Sequence, residues 1–120
     1  MKNYLIIFLA AVIFIFGFNS VYAQSCNCFP GWQYRMTITI TNNNANLYTN
    51  FQVRDSINTQ ALISAGKMKA DGGDIRFADL NCGSLSYFIQ SGINTTATII
   101  WVKLSILPAN GTTTIYMFYG

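Results

Sequence analysis

The middle of the chain carries the stretch Asp71-Gly-Gly-Asp-Ile-Arg-Phe-Ala-Asp79, the densest charged segment of a protein in which only 9% of residues are charged. It holds three of the four acidic residues of the sequence. Its second half alternates polar and apolar residues, as a half-buried strand does. Ile75 and Phe77 are therefore expected on the buried side of a strand. Asp74 and Arg76 are then expected on the opposite side of this strand. The strand is short, and two glycines precede it.

Strand-like alternation recurs on both sides of this stretch and is interrupted by polar turns. The predicted strands are 32–41, 47–57, 74–78, 85–90, 96–104 and 112–119. Short strands at near-regular spacing indicate an all-β fold, an antiparallel β-sandwich of about six strands. Residues 58–66 are the one helical candidate, a turn or two that Asn58 or Thr59 can cap and Gly66 can end.

Two strands depart from simple alternation. Strand 96–104 carries apolar residues on both faces, with Trp101 on one and Ile100 on the other, which predicts a central strand covered on both sides and a buried Trp101. In strand 47–57, Asp55 falls in phase with the buried residues. This strand is therefore expected to end or bulge at Asp55.

The last strand, 112–119, ends directly beside Gly120. If its inner residues face the core, Tyr116 and Phe118 point outward on an exposed edge, which invites association with another strand. We therefore expect the chain to be the front of a longer protein, whose downstream domains cover this face and are partners of the domain.

Residues 1–23 have the pattern of a secretory signal peptide, with Lys2 before an apolar run and small residues leading to cleavage after Ala23. The run is shorter than the roughly 20 residues that cross a bilayer, so export is favoured over a retained anchor. Acylation of Cys26 is a weaker alternative, because the residues before it fit a lipoprotein signal poorly. The pattern predicts a secreted or cell-surface protein with no membrane contact after cleavage.

What remains is an N-terminal segment, 24–30, and one β-sandwich domain, 31–120. Six Lys and Arg residues then face four Asp residues, a net charge of +2. This charge is too small and too scattered for a nucleic-acid interface, so no nucleic-acid partner is expected.

The three cysteines allow at most one intramolecular disulfide, which export permits. Cys26 and Cys28 lie too close in sequence to pair comfortably with each other. Cys82 is therefore expected to pair with Cys26 or Cys28 and to tie the N-terminal segment to the sheet.

Seven segments occur in order and at consistent spacing: Trp32-Gln-Tyr-Arg35, Ile38-Thr-Ile-Thr-Asn42, Phe51-Gln-Val53, Asp74-Ile-Arg-Phe77, Trp101-Val-Lys103, Leu107-Pro108 and Thr113-Thr-Ile-Tyr-Met-Phe-Tyr-Gly120. Together they resemble the secreted prokaryotic family called domain of unknown function 2341. The resemblance covers about Gly31 to Gly120. It implies a concanavalin-like or jelly-roll-like β-sandwich within larger exported or cell-surface proteins, and it implies no established activity.

Catalysis is not expected, because the chain has no histidine and no glutamate. Glycoside hydrolysis needs two carboxylates that flank the scissile bond, and the paired glutamates of concanavalin-like glucanases are absent. Without histidine there is no Ser–His or Cys–His nucleophile. We therefore predict no enzyme activity and no catalytic residue.

A calcium site is the one cofactor hypothesis. Asp71, Asp74, Asp79 and Asn81 supply oxygen ligands of the kind that Ca²⁺ uses, although their spacing matches no recognised calcium loop. The alternative is that Asp74 bonds loop amides, while Arg76 pairs with it or with a nearby carbonyl.

Aromatic residues supply the ligand-binding hypothesis. Phe88, Trp32 and Tyr116 are candidates for stacking on a sugar ring, although most aromatics at strand spacing are core. Phe88 is the best candidate, because it is out of phase with the apolar residues around it. The predicted function is non-catalytic recognition or adhesion, with a glycan or a cell-surface protein as ligand. The alternative is a spacer that presents downstream domains, and exposed aromatics confined to the end near Gly120 would favour it.

Overall fold

A computed structural model describes residues 27–120, where the chain forms seven β-strands and one short α-helix. The predicted signal peptide and the alternative disulfide partner Cys26 lie outside the described residues. The elements in chain order are β1 (Tyr34–Asn42), β2 (Tyr48–Ile57), α1 (Thr59–Ser64), β3 (Arg76–Asp79), β4 (Ser84–Leu85), β5 (Tyr87–Ser91), β6 (Thr98–Leu107) and β7 (Gly111–Tyr119).

The strands form two antiparallel sheets that pack face to face. The four-stranded sheet has the order β1-β7-β3-β4, and the three-stranded sheet has the order β2-β6-β5. The longest pairings join β1 to β7 along Tyr34 to Asn42 and β2 to β6 along Tyr48 to Ile57. The predicted all-β, antiparallel β-sandwich is confirmed.

The inner faces of the two sheets supply one hydrophobic core. Its most completely buried apolar side chains are Ile75, Phe77, Ile100, Val102, Leu104, Ile115 and Met117. Each such side chain contributes about 1.5–3 kcal/mol relative to exposure. The predicted burial of Ile75 and Phe77 is confirmed.

The predicted strand 85–90 is two strands in two different sheets. β4 pairs with β3 at Leu85, whereas β5 pairs with β6 from Tyr87 onward. Ser86 lies between them, and its carbonyl accepts the Lys103 amide at 2.9 Å. The chain thus crosses from the four-stranded sheet to the three-stranded sheet at Ser86.

β6 is the central strand of the three-stranded sheet, as predicted. On its inner face Ile100 is fully buried, whereas on its outer face Trp101 is half-buried and Lys103 is exposed. The prediction that both faces are covered and that Trp101 is buried is therefore wrong. The outer face of β6 is in contact with solvent.

β2 continues through Asp55 to Ile57, with Asp55 opposite Ile100, so the predicted end or bulge at Asp55 is wrong. An aspartate is tolerated at this inward position because β2 is an edge strand. The side chain borders an opening of about 210 Å³ between β1 and β2, and it remains half-exposed.

β7 lies inside the four-stranded sheet, between β1 and β3, and is not the predicted exposed edge. Phe118 on its outer face is only 3% exposed, and Tyr119 on its inner face is 7% exposed. Burial, with a smaller contribution from Tyr34, raises the pKa of Tyr119. The predicted association through β7 therefore loses its structural basis.

Residues 27–33 cover the outer face of the four-stranded sheet. Cys28 is joined to Cys82 by a disulfide of 2.13 Å, which confirms the predicted bridge and selects Cys28 as the partner. The ring of Phe29 packs edge-on against Phe118, with centroids 5.2 Å apart. This cover explains the burial of Phe118.

α1 is a single short helix, as predicted. Asn58 caps its start, and Gly66, with a φ of +70°, ends it. The amides of Gly66 and Lys67 donate to the carbonyls of Ile63 and Leu62, the hydrogen-bond pattern of a Schellman motif. Neither α1 nor any other described helix combines the length and apolar character that crossing a bilayer requires.

Candidate ligand-binding face

The carboxylate of Asp74 is a buried anchor for three segments of the chain. Asp74 is 6% exposed, and its oxygens accept the amides of Lys69 at 3.1 and 3.2 Å and of Gly120 at 2.8 Å. Its backbone carbonyl accepts the indole N–H of Trp32. The interpretation that Asp74 bonds loop amides is confirmed.

Arg76 pairs with nearby carbonyls rather than with a carboxylate. Its Nη1 donates to the carbonyls of Ile75 at 2.6 Å and Gly73 at 3.1 Å, and lies 3.3 Å from the hydroxyl of Tyr87. Its guanidinium carbon is 5.3 Å from the centroid of the Trp32 ring. Arg76 therefore braces the entry to β3.

The other predicted calcium ligands serve the turns in which they lie. Asp71 accepts the Gly73 amide at 2.9 Å, and Asp79 accepts the amides of Asn81 at 2.9 Å and Gly83 at 2.8 Å. In residues 27–120, no three His, Cys, Asp or Glu side chains come together where they could hold a metal ion. The structure thus does not gather the predicted ligands, and calcium binding stays a prediction.

Trp32 and Tyr116, two of the predicted ligand-binding aromatics, belong to a packed cluster on the four-stranded sheet. The Trp32 ring lies 5.7 Å from that of Phe29, and the Arg35 guanidinium lies 4.2 Å from the centroid of Tyr116. Phe88 is on the outer face of the three-stranded sheet, on the other side of the sandwich. The three predicted residues therefore do not form one site.

Phe88 lies in a groove on that face, as the most exposed large hydrophobic residue of the described chain at 63%. It stands directly opposite Trp101 on the neighbouring strand. The groove has a volume of about 410 Å³, and we call it the aromatic groove; it is lined by Gln52, Ser86, Tyr87, Phe88, Trp101 and Lys103. The indole N–H of Trp101 donates to Oε1 of Gln90 at 2.6 Å, which fixes the orientation of the ring.

Phe88 and Trp101 also differ from all other aromatic residues of the described chain in their packing. Every other ring in residues 27–120 contacts a second aromatic ring, as Phe77 does with Tyr87 and Tyr34 with Tyr119. The two rings without such a partner lie side by side on one open face.

The charge on this face is positive. Arg54 lies directly across from Trp101, and Lys103 follows two residues along β6 on the same side. Within residues 27–120, neither side chain has a hydrogen-bond or ion-pair partner. The carboxylate nearest in sequence, Asp55, faces the opposite side of β2. The aromatic pair is therefore flanked by two unpaired cations.

The sequence interpretation found Phe88 but missed Trp101, Arg54 and Lys103. Trp101 was assigned to the core because its strand is apolar on both faces. A signal was present, since Lys103 and Ser105 share the phase of Trp101 and a lysine at strand spacing marks a solvent-facing side. Arg54 could not be placed from sequence, because its position beside Trp101 depends on the pairing of β2 with β6.

Comparison with known families gives one match, between residues 71–120 and the family described as Domain of unknown function (DUF2341). Residues 71–120 belong to the DUF2341 family. The predicted family is thereby confirmed, although the resemblance had been drawn from Gly31 onward. The DUF2341 segment contains β3 to β7, hence Phe88, Trp101 and Lys103, whereas Arg54 and Gln52 precede it. No curated protein and no solved structure matches the chain.

Proposed function

We propose that this domain is a non-catalytic recognition module of a secreted or cell-surface protein and that it binds glycans through the aromatic groove. The observation that carries the proposal is the exposure of Phe88 beside Trp101, with neither ring packed against another aromatic ring of residues 27–120. Flat rings that keep an open face can cover the apolar face of a sugar ring, and they lose little conformational freedom in doing so.

The polar groups around the two rings fit a hydroxyl-rich ligand. Gln52 and Ser86 line the groove and offer both donors and acceptors, and Gln90 lies beside Trp101. A binding site of this kind combines apolar area with a few placed polar groups that fix orientation.

The position of the acidic side chains supports a non-catalytic role. No carboxylate lines the aromatic groove. Asp71, Asp74 and Asp79 accept backbone amides in turns and loops. Glycoside hydrolysis would need a proton donor and a second carboxylate on either side of the bound sugar.

Export is the second part of the proposal. The disulfide between Cys28 and Cys82 is consistent with an extracellular protein, because such bonds persist in oxidising compartments. The signal-peptide pattern of residues 1–23 supports the same destination.

The proposal predicts that Phe88→Ala weakens polysaccharide binding by about tenfold or more, since it removes one of the two stacking surfaces. The measurement is affinity electrophoresis of residues 24–120 in native gels that contain a panel of neutral and acidic polysaccharides. Phe88 is exposed, so the variant should melt as the parent does. Phe51→Ala is the matched control, because Phe51 is also exposed at 39% but packs against Tyr48 outside the groove.

The proposal would be contradicted if no polysaccharide retarded the parent protein in the gel. It would also be contradicted if the Phe88→Ala variant were retarded as strongly as the parent. The spacer function would then be favoured, with the domain serving to hold neighbouring domains apart.

A further inference from the structure

We infer that the ligand of the aromatic groove is an acidic glycan, one whose sugar rings carry carboxylate groups. The inference rests on the proposed function and specifies its ligand class. It comes from the distribution of charge over the three-stranded sheet.

The outer face of this sheet places two cations next to the aromatic pair. Phe88, Trp101 and Arg54 stand in one row across β5, β6 and β2, because each is the direct partner of the next. Lys103 and Gln52 form the adjacent row, about 7 Å further along the strands. A sugar ring lying on Trp101 therefore has a cation within reach on two sides.

Within residues 27–120, Arg54 and Lys103 differ from three of the four other cations, and the fourth, Lys69, lies in the loop before β3, away from this face. Arg35, Lys67 and Arg76 each lie over an aromatic ring, and Arg76 also bonds backbone carbonyls. Arg54 and Lys103 have no such partner. Their charges are consequently available to a ligand, and the planar guanidinium of Arg54 can hold a carboxylate with two parallel hydrogen bonds.

No acidic group opposes them. The chain has four carboxylates, and Asp55 faces inward beside Val53 at the opening between β1 and β2. Asp71, Asp74 and Asp79 lie before β3 or at its end, in the other sheet. The aromatic groove thus has one cation, Lys103, in its lining and a second, Arg54, opposite Trp101, with no carboxylate among the residues that line it.

A nucleic acid would share both the flat rings and the negative charge. Binding a strand without sequence preference takes a positively charged groove that tracks the backbone over several nucleotides. This face offers two cations, and the net charge of +2 for residues 24–120 is small. The observations therefore favour a glycan with a limited number of acidic groups.

The test uses matched pairs of polysaccharides that have the same sugar backbone and differ in the charge of the carboxyl group. Polygalacturonate, alginate and hyaluronan are each compared with their carboxyl-methyl-esterified forms, by calorimetry of residues 24–120 at low salt. We expect at least one acidic form to bind about tenfold tighter than its ester, and added salt to remove most of the difference. The double variant Arg54→Gln/Lys103→Gln should lose this preference, so that it binds the acid and the ester with equal affinity.

The control is Lys67→Gln/Lys69→Gln, which changes the net charge equally but lies in the loop before β3; it should keep the preference. Equal binding of acid and ester by the parent protein would overturn the acidic ligand and leave glycan recognition standing. Loss of the preference in the control would show an effect of overall charge and would also overturn the inference. Tighter binding of a single-stranded oligonucleotide, lost in Phe88→Ala, would overturn both the ligand class and the proposed function.

Discussion

At the scale of single residues, Asp74 connects segments that are far apart in the sequence. Its carboxylate is almost fully buried, and an unpaired charge in that position would be costly. The carboxylate accepts hydrogen bonds from the backbone amides of Lys69 and Gly120. The backbone carbonyl of Asp74 accepts a hydrogen bond from the indole N–H of Trp32. One side chain therefore joins the loop before β3 to the end of β7.

Asp74→Ala should lower the free energy of unfolding by roughly 2–4 kcal/mol, because it leaves two partly buried amides without their charged acceptor. Urea denaturation of residues 24–120 measures the change. Asp71→Ala is the control: Asp71 is exposed and accepts one local amide, so its loss should cost less than about 1 kcal/mol. Equal effects of the two substitutions would contradict the anchoring role.

For single residues, the sequence predicted those environments that are determined by adjacent residues in the chain. Asp74 among glycines indicated loop amides as partners, and the isolated phase of Phe88 indicated exposure. Trp101 was wrongly assigned to the core, because apolar residues on both faces of a strand usually mean that other elements pack on both faces. The same pattern also arises when the outer aromatic residue remains in contact with solvent. The difference lies in tertiary packing, which the sequence pattern does not contain.

Among the elements, the N-terminal segment depends most clearly on a single bond, the Cys28–Cys82 disulfide, for its position on the sheet. Residues 27–33 form no strand, and they lie on the four-stranded sheet through the disulfide, the Phe29–Phe118 contact and the Trp32 hydrogen bond. This segment gives β7 a cover on its outer side. The burial of Phe118 therefore depends on the disulfide that holds this segment in place.

The double variant Cys28→Ser/Cys82→Ser should be less stable by up to about 4 kcal/mol, since the bridge closes a loop with a sequence separation of 54. Urea denaturation under non-reducing conditions measures this, and peptide mapping of the parent identifies the bridge. Cys26→Ser, the control, should keep the Cys28–Cys82 bridge and the stability of the parent. A map that joins Cys26 to Cys82 would refute the assignment.

The strands themselves were largely predictable, whereas their partners were not. Alternation located β1, β2, β6 and β7 closely, because one buried face leaves a period of two residues. Nothing in the sequence of 85–90 marks the crossing at Ser86. The apolar residues on both faces of β7 fit an interior strand, but they do not identify its neighbours, since strand order follows from long-range pairing rather than from local pattern.

For the molecule as a whole, the sandwich depends on strands from both halves of the chain. β1 pairs with β7, and β2 pairs with β6, whereas the DUF2341 match begins only at Asp71. Without residues 27–70, β7 and β6 would each lose a partner along nearly their full length. The core would lose the half-buried residues of β1, among them Met36, Ile38 and Ile40.

A protein consisting of residues 71–120 alone should accordingly fail to fold, while residues 24–120 should unfold cooperatively. Thermal unfolding followed by circular dichroism compares the two, because a sheet stripped of its edge strands has too little buried area to offset the chain entropy. A cooperative transition of the shorter chain would mean that the matched segment is an independent domain.

The disulfide also has a mechanical consequence. Once tension between residue 27 and Gly120 has separated the strands, it would pass through Cys28 directly to Cys82 and then along residues 82–120, so the unfolded loop that contained β1, β2, α1 and β3 would carry no load. The bypassed segment, with its sequence separation of 54, corresponds to roughly 180–190 Å of extended chain that is withheld while the bridge is intact. Under shear, the oxidised domain would act as a short tether with a fixed maximum length, and reduction would let it lengthen.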